Sequence, residues 1–262
     1  GRINQPNWEQ TEGLAGANVA WQEELTWMRD NTPDPRSSGL AYDELTAAPE
    51  NGDFAYPENA YGVMSWWDYG HWITRTGERI PNANPFQEGP RPASAFLLAQ
   101  SEERANLILE ALPSMRGSVG EISPTEATGP ISNADLRAMI ANQSAQRANE
   151  TTRYVMIDDQ MAAYKGISRR SSGKFGPITQ WTGPATGTYE LTRNRTIRTG
   201  NGTTQVPLPG LSERYENTML SRLYFGDATG LEQYRLVHET ERSTTFLSLV
   251  QQSSTGEYQS IG

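Results

Sequence analysis

The sequence contains no cysteine. Disulfide frameworks and thiolate metal sites are therefore excluded, and cysteine usage says nothing about the compartment. Lysine is nearly missing: Lys165 and Lys174 are the only two, and every other basic side chain is arginine. Histidine is limited to His71 and His238, far apart in the chain. Zinc sites usually gather three or four ligands, so no histidine-built metal centre is expected. Long apolar runs are missing too. No stretch approaches the ~20 apolar residues that cross a bilayer, and the start does not read as a secretory leader. A membrane part of the parent polypeptide would lie outside these residues. No Gly-rich phosphate loop, βαβ regularity or internal repeat is found.

What is present is acid, Thr, Gly and Pro. The formal net charge is -9, which argues against nonspecific nucleic-acid binding, because phosphates are neutralised by Lys and Arg. Low Lys with excess carboxylate and many Thr points to a salt-adapted organism: carboxylates stay hydrated at high ionic strength, whereas Lys stems add flexible apolar surface. A length of 262 residues suits one large domain, or a core with a smaller insertion, and is enough to hide most of the unfolded surface.

Asn18 reads as a helix N-cap, followed by Val19, Trp21, Leu25 and Met28 at partial helical spacing and a stop at Thr32-Pro33. Residues 33–60 read as irregular chain with one short helix near Ala41–Leu45, and residues 61–90 as a short helix or turn followed by loop. Pro92 opens a helix with Phe96 and Leu97 on its apolar face. Ser101 caps another that turns Leu107, Ile108, Ala111 and Leu112 to one side. Ser132 and Asp135 form a capping box for a helix running to about Glu150. Tyr154-Val155-Met156-Ile157 reads as a buried strand ending at Asp158-Asp159. Residues 166–173 have the composition of a mobile loop, and Trp181 to Val206 that of a small antiparallel β unit. Tyr215–Phe225 reads as helix, Tyr234–Glu239 and Phe246–Val250 as strands. The expected class is α+β: a mainly α-helical central core with mixed strands and a small antiparallel β insertion. The expected division is residues 1–180 as helical and mixed core, 181–207 as the β insertion, and 208–262 as a return to the core.

Ser65 to Trp72 reads S-W-W-D-Y-G-H-W. Trp ordinarily packs inside, but two adjacent Trp cannot both face one core on a regular helix or strand. At least one indole N–H therefore points at a polar site, with Asp68 beside it.

Trp66-Trp67-Asp68-Tyr69-Gly70 is identical at all five positions to the signature pentapeptide of oligosaccharyltransferase catalytic subunits, and His71-Trp72-Ile73 continues as in archaeal members of the AglB type. Asn82 to Phe86 resembles the loop that follows. The helix pair, the Tyr154–Ile157 strand and Tyr234-Arg235-Leu236-Val237 fall in the family's order. The chain thus resembles the C-terminal soluble domain of an archaeal oligosaccharyltransferase. The family's second motif is an Asp, a Lys three residues on, and an Ile or Met four after that. Here the pieces are separated: Asp158 is followed by Met161, and Lys174 by Ile178, with residues 162–173 between. This resembles an archaeal variant with an insertion, and Lys165 stands as a rival to Lys174.

The resemblance implies transfer of a glycan from a lipid-linked, dolichol phosphate type donor to the Asn of Asn-x-Ser/Thr. Trp66, Trp67, Asp68, Tyr69, Gly70 and Ile178 would bind the acceptor sequon, with Asp158, Met161, Lys174 and Ile178 as second motif. Asp68 would accept the hydroxyl proton while the Trp66 and Trp67 indoles donate to its oxygen. A site built this way rejects a residue without the hydroxyl, since its own polar groups would be left unpaired. Ile178 would touch the Thr methyl, a contact worth about 1 kcal/mol. The resemblance assigns no catalytic residue to these residues. The bond-making carboxylates and a divalent cation (Mg or Mn) would belong to a transmembrane part not included here, so the isolated domain would not turn over. Its partners would be the acceptor polypeptide, the lipid-linked oligosaccharide and the membrane, with no nucleic acid, and the domain would face the outside of the cell membrane. The competing reading is an extracellular carbohydrate-binding or surface-structural module without catalysis.

Other polar features read as surface. Asp158-Asp159 suits a solvated strand end better than a cation site. Glu23-Glu24 and Glu102-Glu103 suit hydrated helix faces, and Arg169-Arg170 a loop. Sequons at Asn142, Asn149, Asn194 and Asn201 raise the possibility of self-modification.

Overall fold

The computed structural model describes residues 15–35, 56–57, 59–86, 89–115, 122–143, 151–162, 173–182, 189–199, 202–240 and 247–252. The helices there are α1 (Ala15–Asn31), α2 (Gly70–Arg75), α3 (Pro90–Leu97), α4 (Glu102–Ala111), α5 (Asn133–Ala141), α6 (Asp159–Ala162), α7 (Phe175–Thr182), α8 (Glu213–Glu216) and α9 (Met219–Tyr224). The strands are β1 (Tyr61–Met64), β2 (Ile80–Pro81), β3 (Thr151–Asp158), β4 (Glu190–Thr199), β5 (Gly202–Leu211), β6 (Tyr234–Glu239) and β7 (Leu247–Gln252). The α+β class expected from the sequence holds.

Five strands form one mixed sheet in the order β2-β1-β3-β7-β6. The β2-β1 and β1-β3 pairs are parallel, while β3-β7 and β7-β6 are antiparallel. The central strand is β3, where Tyr154, Val155, Met156 and Ile157 are all fully buried. A strand covered on both faces needs such a continuous apolar run. Its neighbour β1 is a correction to the sequence reading of a turn. Tyr61-Gly62-Val63-Met64 is buried on both faces, so it carries no period-two alternation to betray it. β4 and β5 pair antiparallel with each other, from Glu190↔Leu211 to Thr199↔Gly202.

Helices cover the sheet. α3 packs on α4 and α7, and α9 packs on β3. Ser101 caps α4 through Arg104 N–H, and Ser132 with Asp135 closes a capping box on α5. Other expectations shift at their edges. α1 begins at Ala15, ahead of Asn18, since Ala is the strongest helix former and extends it backwards. α3 begins at Pro90, and α5 ends at Ala141. Trp181 belongs to α7 rather than to a β unit. The helix expected over Tyr215–Phe225 is two helices, because Thr218 leaves helical geometry to cap α9 through Ser221 N–H. The short helix near Ala41–Leu45 lies outside the described residues, as does all but the last residue of the loop expected at 166–173.

α1 is anchored at both ends of its buried face. Trp21, Leu25 and Met28 point into the core. At its C-terminus the buried Arg79 donates to the carbonyls of Met28, Arg29 and Thr32 at 3.2, 3.0 and 2.9 Å. The Arg29 and Thr32 carbonyls lie where a helix end leaves acceptors without an intrahelical partner, while Met28 O is shared with Thr32 N–H at 3.0 Å. Glu24, read from sequence as part of a hydrated face, is fully buried instead.

Candidate functional site

The pentapeptide sits just past the end of β1. Trp67–Tyr69 form one turn of 3-10 helix that runs directly into α2. A 3-10 turn has three residues per turn, so side chains three apart share a side. Trp66 and Tyr69 therefore both turn inward, at 2% and 3% exposure, while Trp67 and Asp68 between them remain partly exposed. Gly70 has a steric reason to be glycine. A Cβ there would stand 2.4 Å from the Ala83 carbonyl oxygen and 2.8 Å from Asn84 Cα. The loop after β2 thus packs directly onto the motif.

Two polar atoms of the motif are buried without a hydrogen-bond partner among the described residues: Trp67 Nε1, a donor, and Asp68 Oδ1, an acceptor. Buried polar groups are nearly always paired. An unpaired donor and an unpaired acceptor on consecutive residues are the two halves needed to receive a group that is itself donor and acceptor, such as a hydroxyl. The other oxygen of Asp68 is taken: Lys174 Nζ lies 2.5 Å from Oδ2.

The separated pieces of the second motif meet in space. Lys174 N–H donates to the Gln160 carbonyl at 2.7 Å, so α7 starts where α6 leaves off. Ile178 N–H donates to the Lys174 carbonyl at 2.9 Å, one turn into α7. Met161 is buried, and its N–H donates to Asp158 Oδ1 at 2.8 Å. Ile178 is fully buried, and its carbonyl accepts from Ser94 Oγ at 2.7 Å. The end of α6 and the start of α7 thus meet, and Lys174 stands against Asp68. Lys165 lies outside the described residues.

Asp158 is not a solvated strand end. It is fully buried, with Oδ2 accepting from Trp21 Nε1 at 3.0 Å and from the Tyr69 hydroxyl at 2.5 Å. Burial raises its pKa, and the bonds from Tyr69 and Trp21 pull it partly back. Burial likewise raises the Tyr69 hydroxyl well above its ordinary value, with the Asp158 and Asp68 charges adding to the effect. Tyr69 thus stays a donor across ordinary pH. Sequence reading treated Trp21 only as a core position on α1. The available signal was that a buried indole N–H needs an acceptor.

His71 and His238 stand apart. His71 meets the exposed Phe86 edge-on at 5.4 Å. His238 stacks on Trp27 at 4.1 Å, and its Nδ1 lies 2.7 Å from Glu24 Oε2. Among the described residues, no group of three or more His, Cys, Asp or Glu could hold a metal ion. No helix among them is long and apolar enough to cross a membrane.

Residues 18–119 match the family model of the AglB core domain. The dolichyl-monophosphooligosaccharide–protein glycotransferase AglB of Haloferax volcanii is 32% identical over 252 residues, covering 94% of this chain and 20% of that protein. The chain is homologous to archaeal AglB over most of its length. The AglB-type fold also recurs in the Archaeoglobus fulgidus oligosaccharyltransferase. Its crystal structure tethered through a disulfide to an acceptor peptide containing the NVT sequon superposes with a TM-score of 0.56 at 27% identity, covering 86% of this chain and 24% of that one. The complex with an inhibitory peptide and a dolichol-phosphate gives 0.57 at 27% identity, covering 86% and 23%. A form with Zn and sulfate gives 0.56 at 28%, covering 86% and 25%. The chain thus spans about a fifth to a quarter of the length of these AglB relatives.

Proposed function

We propose that this chain is the acceptor-recognising domain of an oligosaccharyltransferase that transfers a glycan from a dolichol phosphate type donor to the Asn of Asn-x-Ser/Thr. The observation that carries the reading is the unpaired donor and acceptor, Trp67 Nε1 and Asp68 Oδ1, on consecutive residues of the pentapeptide. A Ser or Thr hydroxyl two residues after the acceptor Asn supplies one proton to Asp68 and one lone pair to Trp67. Trp66 lends an indole edge from the border of the core, Tyr69 and Gly70 hold the turn, and Lys174 holds Asp68 in place from its other oxygen. Asp158 and Met161 fix the base of the second motif. Ile178 reaches a Thr methyl after the side chains covering it shift.

Activation of the Asn amide would belong to the transmembrane remainder of the polypeptide, where a divalent cation (Mg or Mn) would supply charge stabilisation to the donor phosphate. That remainder anchors the protein in the cell membrane with this domain on the outer face. The recognition core runs through α7 and resumes at α8, and the β4–β5 pair forms an insertion into it. The relatives with an acceptor peptide and with a dolichol-phosphate support this reading, and the Haloferax relative suits the low-Lys, acidic composition of a salt-adapted protein. The carbohydrate-platform reading loses its footing: such platforms present aromatic faces, and among the described residues no Trp or Tyr is exposed.

The test is glycan transfer by the full-length enzyme to peptides with Thr, Ser or Ala at the second position after Asn. Asp68→Ala and Trp67→Phe should each reduce transfer to Thr and Ser peptides at least about a hundredfold, in the range lost when buried polar partners are left unpaired. Undiminished transfer to the Thr peptide by Asp68→Ala overturns the proposal.

A further inference from the structure

Trp21 lies in α1, outside both motifs, yet three contacts tie it to the recognition turn. Its indole stacks on the Tyr69 ring at 4.1 Å and 18°. Its Nε1–H shares Asp158 Oδ2 with the Tyr69 hydroxyl. Its ring meets Trp72 of α2 edge-on at 5.8 Å. Lys174 Nζ lies 3.8 Å from the centroid of the same Tyr69 ring. A stacked indole fills one face of that ring, so the ammonium occupies the other. The order through space is therefore Trp21, Tyr69, Lys174, Asp68.

We propose that Trp21 is a positioning residue: by fixing the plane of Tyr69 it fixes where Lys174 stands, and through Lys174 it fixes which oxygen Asp68 offers to the acceptor hydroxyl. Trp21 is 1% exposed, so its indole is covered by the protein itself. The Tyr69 ring has three fixed points: the indole on one face, the Asp158 carboxylate at its hydroxyl, and its own backbone in the 3-10 turn. Its remaining face is a platform for a cation, since the face of an aromatic ring is its negative side. Lys174 has a flexible four-carbon stem and, among the described residues, Asp68 as its side-chain acceptor. Without the platform the ammonium is free to swing, and Asp68 is free to turn its unpaired oxygen away from Trp67. The fixed face at Tyr69 thus converts a partly exposed ion pair, of a kind that is ordinarily loose, into one with a single geometry.

The inference rests on the proposed acceptor-binding role of this site, and a double-mutant cycle in the full-length enzyme separates the two. Trp21→Leu should raise the KM for a Thr-containing acceptor peptide about tenfold with kcat at saturating acceptor changed by less than about twofold, the pattern of lost acceptor binding. In a Lys174→Met background the same change should move KM by less than about twofold, because residues acting through one contact are non-additive. Trp21→Phe keeps a ring on Tyr69 and loses the bond to Asp158, and should recover most of the KM. Equal fold-changes from Trp21→Leu in both backgrounds overturn the positioning role while leaving the acceptor site intact. If Lys174→Met and Asp68→Ala both leave the acceptor KM unchanged, the functional reading falls and this inference falls with it.

Discussion

Lys174 Nζ sits 2.5 Å from Asp68 Oδ2, across 106 positions of chain and between two motifs that the sequence keeps apart. Both side chains are partly exposed, at 20% and 32%, which sets how much the pair can contribute to the fold.

A partly exposed ion pair contributes about 1 kcal/mol or less to stability. Lys174→Met should therefore shift the urea midpoint of this 262-residue chain only slightly, while acceptor KM in the full-length enzyme rises about tenfold, or about 1.4 kcal/mol of binding. The two measurements move apart if the lysine serves recognition. A loss of more than about 2 kcal/mol of folding stability, beyond what exposed pairs give, would mark it as structural.

Gly70 is held to glycine by space. With Ala83 O at 2.4 Å and Asn84 Cα at 2.8 Å from the site of a Cβ, and both neighbours backbone, the loop must move to admit a methyl. Gly70→Ala should cost about 1 to 3 kcal/mol, the usual range for overpacking, read as a lowered urea midpoint. An unchanged midpoint would show that the loop yields freely, and the steric account of the motif's last residue would fall.

The parts legible in the sequence were those with local physical causes. Ser101 and Ser132 could be recognised because a cap is a bond between neighbours in sequence. The β3 run could be recognised because four apolar residues in a row need burial on both faces. What escaped was set by partners far along the chain. Glu24 reads as a solvated helix residue until His238 of β6 arrives at its carboxylate. Asp158 reads as a strand-end acid until Trp21 and Tyr69 close over it. β1 was missed because a buried parallel strand has no polar face to show. The pentapeptide was legible as a candidate site, but which of its two indoles turns in and which stays partly out was not. That follows from the 3-10 turn.

Glu24 carries a pH dependence whose sign is fixed by its burial. Burial raises its pKa above the ordinary 4.5; the hydrogen bond and charge of His238 offset this in part, and the nearby Glu239 adds to it. One carboxylate oxygen, Oε1, is buried with no partner among the described residues. With a raised folded-state value, the folded protein holds a proton that the unfolded chain has already released. The stability Glu24 contributes is thus present in full below its unfolded value and is lost as pH rises through its folded value. Glu24→Gln keeps the shape and does not titrate. Its stability relative to the parent should therefore improve as pH rises upward from the ordinary 4.5 of the unfolded carboxyl, until the folded carboxyl has also released its proton. Urea midpoints of parent and variant across that range supply the measurement. A constant difference between them would mean that Glu24 ionises as freely in the folded chain as in the unfolded one, and that the His238 bond compensates its burial completely.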